Sequence, residues 1–265
     1  MDTRSEVREF LSSRRDRITP DQAGLPAYGG NRRVPGLRRE EVSLLAGVSV
    51  DYYTRLERGD LSGVSDSVLD ALARALQLDP DAADHLRRLR DAHPATARAE
   101  SPAAPAVDEG LTARMALLVD AVRPNPAYVL DRLSTVVAAN PEGLALHEGL
   151  ADLPPAQRNT CRSLLLDPRA RETFVEWEEL ARGAVAHLRA ANVDDLQDPQ
   201  LVALVAELSS ASPLFRTWWS GHLVQRRRGD ITHVRGADGT VSARRYEVLH
   251  LPEDGARMTL WLPAL

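Results

Sequence analysis

A chain of 265 residues exceeds the usual single domain, so length favours two domains and leaves ample material for a core. Its 33 basic residues are all arginine, which excludes mechanisms built on lysine: Schiff-base catalysis, a P-loop phosphate lysine, the kinase lysine and a Ser-x-x-Lys pair. A formal charge of -5, taken whole, argues against a protein that simply coats nucleic acid, and the single Cys161 excludes disulfide frameworks and cysteine-based zinc fingers.

The first residues, Met1 to Glu6, are charged rather than apolar. No stretch reaches the ~18 uninterrupted apolar residues of a membrane helix, so a cytoplasmic protein without membrane contact is expected. In chain order, Ser5 to Arg17 reads as a charged amphipathic helix, Leu37 to Ala46 as a second, and Ser49 to Arg58 as a third that ends at Gly59. Ser65 is placed to cap VLDALARAL, and Asp79-Pro80 has the form of an N-cap with proline in the first turn, opening a fifth helix through Leu86 and Leu89. These helices define an all-α domain over residues 1–92. Residues 93–110 hold three prolines and six alanines with no apolar period, the composition of a linker.

The remainder, 111–265, reads as an α+β domain. Leu111 to Val122 is helical by pattern; AYVL (127–130) and STVVAA (134–139) are short strands around a turn at Asp131-Arg132; Asn140-Pro141 starts another helix. Three helical stretches follow, the longest from Arg169 to Ala191. ITHV, VSARRYEVLHL and ARMTLWL, separated by Ala237-Asp238-Gly239 and by Pro252 to Gly255, predict a terminal antiparallel meander. One sheet carrying helices on a face is the expected architecture.

The strongest motif is REEVSLLAGVSVDYYTRLER, Arg39 to Arg58. A helix-turn-helix needs a residue tolerant of positive φ at its turn, which Gly47 supplies, and a small residue at the close approach, which Ser43 supplies. Val42, Ala46, Val48, Tyr53 and Leu56 fall where the two helices face each other. Ser49 can cap the second helix, and Asp51 suits the positive end of its dipole. The stretch resembles the Cro and lambda-repressor-like helix-turn-helix of the XRE class. That resemblance makes Ser49 to Arg58 the recognition helix in the major groove, with Val50, Asp51, Tyr52 and Arg55 toward bases or adjacent backbone. Arg55 suits bidentate contact with guanine, Val50 a thymine methyl, and Arg38 and Arg39 phosphates. Asp51 and Arg55 are also spaced for an i, i+4 ion pair. From Arg14 to Arg39, seven arginines (14, 15, 17, 32, 33, 38 and 39) face only Asp16 and Asp21, a local balance of +5 beside the recognition helix.

PAYGGNRRVPGLRREE, VDYYTRLE and VLDALARALQL, read with AYVLDRLSTVVAANPEG, FVEWEELARGAVAHLRA, LVALVAELSSASPLFRTWW and RRYEVLHL, resemble the MmyB-like transcriptional regulators over nearly the whole chain except the linker. The resemblance implies an all-α helix-turn-helix domain joined to a PAS-like domain that binds a small hydrophobic ligand such as a long-chain fatty acid. It also implies a homodimer on double-stranded operator DNA of twofold symmetry. One departure is the loop DLSGVSDS after Gly59, where relatives carry Arg and Pro and Asp60 makes a poor phosphate clamp; another is the short tail after the last strand at LWLPAL.

All four tryptophans lie in the second domain. Phe174, Trp177, Phe215 and Trp218 are the candidate ligand contacts, each also readable as core; Trp218 and Trp219 point ~100° apart on a helix and cannot both face one core. Arg226, Arg227, Arg228, Arg244 and Arg245 could offer a fork to a carboxylate. No Gly-x-Ser-x-Gly, His-Glu-x-x-His or dinucleotide loop is present, His222 and His233 lack a third metal ligand, and Cys161 reads as a buried thiol, so neither enzyme activity nor metal nor cofactor is expected. The competing reading is a protein-interaction module whose helix-turn-helix docks a protein partner.

Overall fold

The computed structural model describes residues 2–26, 35–92, 109–252 and 255–264. Arg32 and Arg33 of the basic arm lie outside them, as does the expected linker apart from Glu109 and Gly110, which open a helix. The chain divides into two compact units: Met1–Ser101 with Val193–Val202 and Ser220–Gln225, and Pro102–Asn192 with Ala203–Trp219 and Arg226–Leu265. Two short segments that composition groups with the second domain therefore pack in the first unit.

The first unit holds helices α1 (Thr3–Arg17), α2 (Arg39–Ala46), α3 (Val50–Glu57), α4 (Asp66–Ala75) and α5 (Pro80–Asp91). Their starts follow from capping chemistry. Side chains of Asp2, Ser49, Ser65 and Asp79 each accept from the amide three residues on, supplying an acceptor to one of the orphan donors of a first turn. α2 begins at Arg39 rather than Leu37 because Leu37 is tied to α1: its amide donates to Arg15 O at 3.1 Å and its carbonyl accepts from the Arg15 guanidinium at 2.7 Å. Gly36 permits this approach, since a Cβ there would lie 2.5 Å from the Asp16 Cα. Val7, Phe10, Leu56, Leu72 and Leu86 are wholly buried in the resulting core. Within the same unit His222, at φ 48°, sits with Nδ1 3.3 Å from Glu6 Oε1 and Nε2 3.2 Å from Glu9 Oε2, and Arg88 pairs with Asp194.

The second part of the chain forms α6 (Glu109–Ala121), β1 (Ala127–Leu130), β2 (Val136–Ala139), α7 (Pro141–Ala145), α8 (Thr160–Leu166), α9 (Arg169–Thr173), α10 (Trp177–Ala191), α11 (Pro199–Ala211), α12 (Pro213–Ser220), β3 (Asp230–Arg235), β4 (Val241–Leu251) and β5 (Ala256–Pro263). The strands make one antiparallel sheet in the order β2-β1-β5-β4-β3, so the expected meander is extended by β1 and β2 on the far side of β5. Alternation assigns two faces. Ala127, Val129, Ala256 and Met258 pack with Leu111, Met115 and Val119 of α6. Tyr128, Arg257, Thr259 and Trp261 point the other way, where His147 and Phe174 meet Tyr128 and Trp261 through their rings. On that face His187 of α10 also meets the ring of His250, the register partner of Arg257, so helices cover both faces rather than one, and β1 is buried at all four positions.

The helix expected from Arg169 to Ala191 is two. Phe174 is extended between α9 and α10 and bridges to Val234, and the Val175 amide donates to His233 O at 3.0 Å. The edge of β3 thus captures the backbone that would continue the helix. The Glu176 carboxylate at the break accepts from the His233 amide and the Thr232 hydroxyl, in that order of effect, and these bonds hold its pKa down at about 2.

Candidate functional site

In the helix-turn-helix, Gly47 adopts φ 67° at the turn, the left-handed conformation for which glycine lacks a steric penalty. Val42, Ala46, Tyr53 and Leu56 are buried between the helices, Val48 is half-buried, and Ser43 is buried with its hydroxyl donating to Arg39 O at 2.7 Å. The Tyr52 amide donates to Ser49 Oγ at 3.1 Å, so Ser49 caps α3. This packing leaves Ser49, Val50, Asp51 and Arg55 exposed and Tyr52 half-buried, the outward surface of α3. The Asp51–Arg55 spacing yields no ion pair; Arg55 instead lies over the Tyr52 ring at 4.9 Å and 3.8 Å from Asp60. Asp60, on the departing loop, therefore stands where the spacing had put Asp51 as the carboxylate facing Arg55.

Arg38 is the exposed N-cap residue of α2, its amide donating to the Glu41 carboxylate at 2.6 Å. Arg39 has a structural role that spacing does not reveal. Its Nε donates to Glu57 Oε2, while the other oxygen of Glu57 accepts from Arg15 Nε at 2.7 Å. Glu57 is buried, so one carboxylate ties α1, α2 and α3 together. Burial alone would pull Arg15 down, but the hydrogen bond and charge of Glu57 outweigh it and hold Arg15 above its usual pKa. Burial, followed by the Glu57 charge, pushes the Tyr53 phenol up.

The basic arm is correspondingly smaller than its sequence count. Arg14 is buried over the Phe10 ring and Arg15 is engaged by Glu57 and Leu37 O, which leaves Arg17, Arg38 and half-exposed Arg39 as its surface cations among the described residues.

The four candidate ligand contacts do not form one cluster. Phe174 is buried against Trp261, at a ring separation of 5.9 Å, and Phe215 is buried in a stack with Trp219. Trp177 and Trp218 are half-buried with rings 6.4 Å apart, and Trp177 donates its indole N–H to Leu164 O at 2.6 Å. Of the candidate arginines, Arg226, Arg228 and Arg245 are exposed, Arg244 is half-buried, and Arg227 turns inward to donate to Leu180 O at 2.8 Å beside the Tyr246 ring.

Sequence reasoning missed the polar face of the sheet. Arg257, near the start of the apolar ARMTLWL run, is buried and donates to Asp131 O at 3.1 Å and Ser134 Oγ at 2.8 Å. Burial and the neighbouring charge of Arg227 bring its pKa down to about 10. His147, on the same side and beside Ser163, is pushed down to about 4 by burial and then by Arg227. His187 is pushed well below its usual value by burial and then by Arg257, and burial drives the Cys161 thiol up to about 12. An arginine on the period-2 face of an otherwise apolar strand is the signal that could have marked this layer.

A separate groove of about 550 Å³ is lined by Leu150, Leu153, Leu166, Arg162 and Arg169 among others. Its size suits a small ligand, but Arg162 is paired with Glu207 and Arg169 with Asp167.

No described helix is long and apolar enough to cross a membrane. No curated protein matches the chain. A family model for a helix-turn-helix domain matches residues 6–86, the span that positions the exposed face of α3. A second, the MmyB-like transcription regulator ligand binding domain, matches residues 111–264, more than half of the chain. With a DNA-binding head and a ligand-sensing domain in one polypeptide, the chain belongs to the MmyB-like transcription regulators.

Proposed function

We propose that the protein is a sequence-specific regulator, not an enzyme, that binds an operator as a homodimer of the XRE type and responds to a small apolar ligand such as a fatty acid. The observation that carries the DNA half is the outward surface of α3: Val50, Asp51 and Arg55 stand free of the core while Tyr53, Leu56 and Glu57 anchor the opposite side. A helix held this way presents side chains to a major groove without reorganisation of its own packing. A PAS-like second domain is supported by the strand order, with the chain's first and last strands adjacent at the centre of the sheet and the α7 to α12 segment inserted between β2 and β3. Ligand acts on DNA affinity only through a difference in its own affinity for the two arrangements of the heads.

The test is fluorescence anisotropy on DNA from the gene's upstream region, with salt titration and a fatty-acid panel. Arg55→Ala is expected to relax preference at one base position by about 1–3 kcal/mol while leaving non-specific binding in place. Salt-independent binding, or none, sinks the regulator; operator affinity unchanged across the panel sinks the sensor. The protein-docking reading draws support from Leu44, which is 73% exposed on α2, and is favoured if Leu44→Ser abolishes a complex that DNA does not compete away.

A further inference from the structure

Resting on the homodimer reading, we propose that the outward face of α6 is where a second copy of this chain docks, its own α6 running antiparallel about a twofold axis at Leu117. The helix is apolar on two sides. Leu111, Met115 and Val119 are buried against β1, β2 and β5. The opposite side carries Gly110, Ala113 and Leu117, all exposed, and Leu117, at 75%, is the most exposed large apolar side chain among the described residues. One apolar stripe is enough to hold a helix to its sheet; a second stripe on the solvent side marks a helix that is covered from both sides.

The apolar surface continues beside the helix. Leu249 of β4 is paired in register with Met258, so it lies on the sheet face that α6 covers over β1, β2 and β5. Val241 shares that side by alternation along β4, and so does Ile231 of β3, which is paired with Arg245. All three are about half-exposed, so this face is left open over β4 and β3. A helix of 13 residues is only about 20 Å long, and the open strip adds to the ~1,200 Å² or more that a stable interface buries.

Charge names the occupant. Arg114 and Asp120 are both exposed and stand three residues before and three residues after Leu117. With two copies of α6 antiparallel about an axis at Leu117, Arg114 of each comes level with Asp120 of the other, so opposite charges meet at both ends of the contact. Ala113 and Ala121, four residues to either side, come level in the same way and let the backbones approach. A parallel pair would set Arg114 against Arg114 and Asp120 against Asp120, which repel. Within the chain Asp120 pairs with exposed Arg123 at 3.6 Å, a weak surface contact that does not compete strongly with a partner's guanidinium. A contact between identical surfaces requires this self-complementarity, whereas an unrelated partner does not.

Sedimentation velocity of the full chain over a concentration series, without DNA, tests the assignment. Wild type is expected to be a dimer, and Leu117→Asp to weaken it by about 100-fold or more, since the change enters the interface twice. Arg114→Asp alone should also weaken the dimer, and Arg114→Asp combined with Asp120→Arg should restore it, a rescue that damage to the monomer would not give. Should Leu117→Asp fail to fold, the charge exchange decides. A dimer unmoved by Leu117→Asp, or an exchange that restores nothing, overturns the α6 interface and leaves the homodimer standing. Wild type that stays monomeric at every concentration overturns both.

Discussion

Replacing Glu57 with alanine is expected to lower the stability of the helical head by about 3–5 kcal/mol, the cost of removing one partner from a buried, hydrogen-bonded ion pair. The magnitude follows from what remains. Arg15 is largely buried, with its Nε directed at the lost carboxylate, and among the described residues its other fixed contacts are with Leu37 O, Ser12 and the exposed Asp16. Arg39 is half-exposed and can turn to water, so Arg39→Ala should cost much less than Glu57→Ala. The first unit contains no tryptophan, so urea unfolding should be followed by far-UV circular dichroism. A loss below about 0.5 kcal/mol would show that Glu57 does not organise the head. Because the same carboxylate sets α2 against α3, Arg39→Ala should weaken DNA binding through the geometry of the helix-turn-helix.

The second large effect is acid sensitivity of the sensor unit. His147 is buried and held neutral, with a pKa near 4 in the folded state against about 6.5 when unfolded. Below about 6.5 the unfolded chain takes up a proton that the folded chain refuses, so stability rises with pH through this window and is lost on acidification. His187 shifts in the same direction. From pH 7 to pH 4, His147 alone should cost on the order of 3 kcal/mol. Tryptophan fluorescence isolates the event, since Trp177, Trp218, Trp219 and Trp261 all lie in the second unit. His147→Phe should flatten the acid limb relative to wild type; an identical slope in both proteins would show that burial of this imidazole is not the source.

Much of this molecule is local in origin. The caps at Ser49, Ser65 and Asp79, the left-handed Gly47 and the short apolar runs of β1 and β5 each depend on residues a few positions apart, and each is readable from the chain. Where reading failed, a remote partner intervened. The helix from Arg169 to Ala191 has sound apolar spacing, yet the backbone around Phe174 pairs with β3, about sixty residues later. The Arg55 partner is Asp60 rather than Asp51 because the chain after α3 folds back past it, with the Asp60 amide on Arg55 O.

The same division runs through the arginines that first marked the chain. Composition alone showed that every fixed cation is a guanidinium, so any phosphate or carboxylate contact through a fixed cation must use arginine forks. Local pattern determined the two-part organisation and the helix-turn-helix, because capping and periodicity act within one or two turns. Only the tertiary structure decided which arginines remain available. Arg14 and Arg15 are consumed by the core of the head, Arg55 stays at its surface, and Arg257 is enclosed behind the sheet. Burial and pairing depend on groups that are distant in sequence, and a guanidinium carries the same charge in the sequence whether folding spends it on Glu57 or leaves it without a carboxylate.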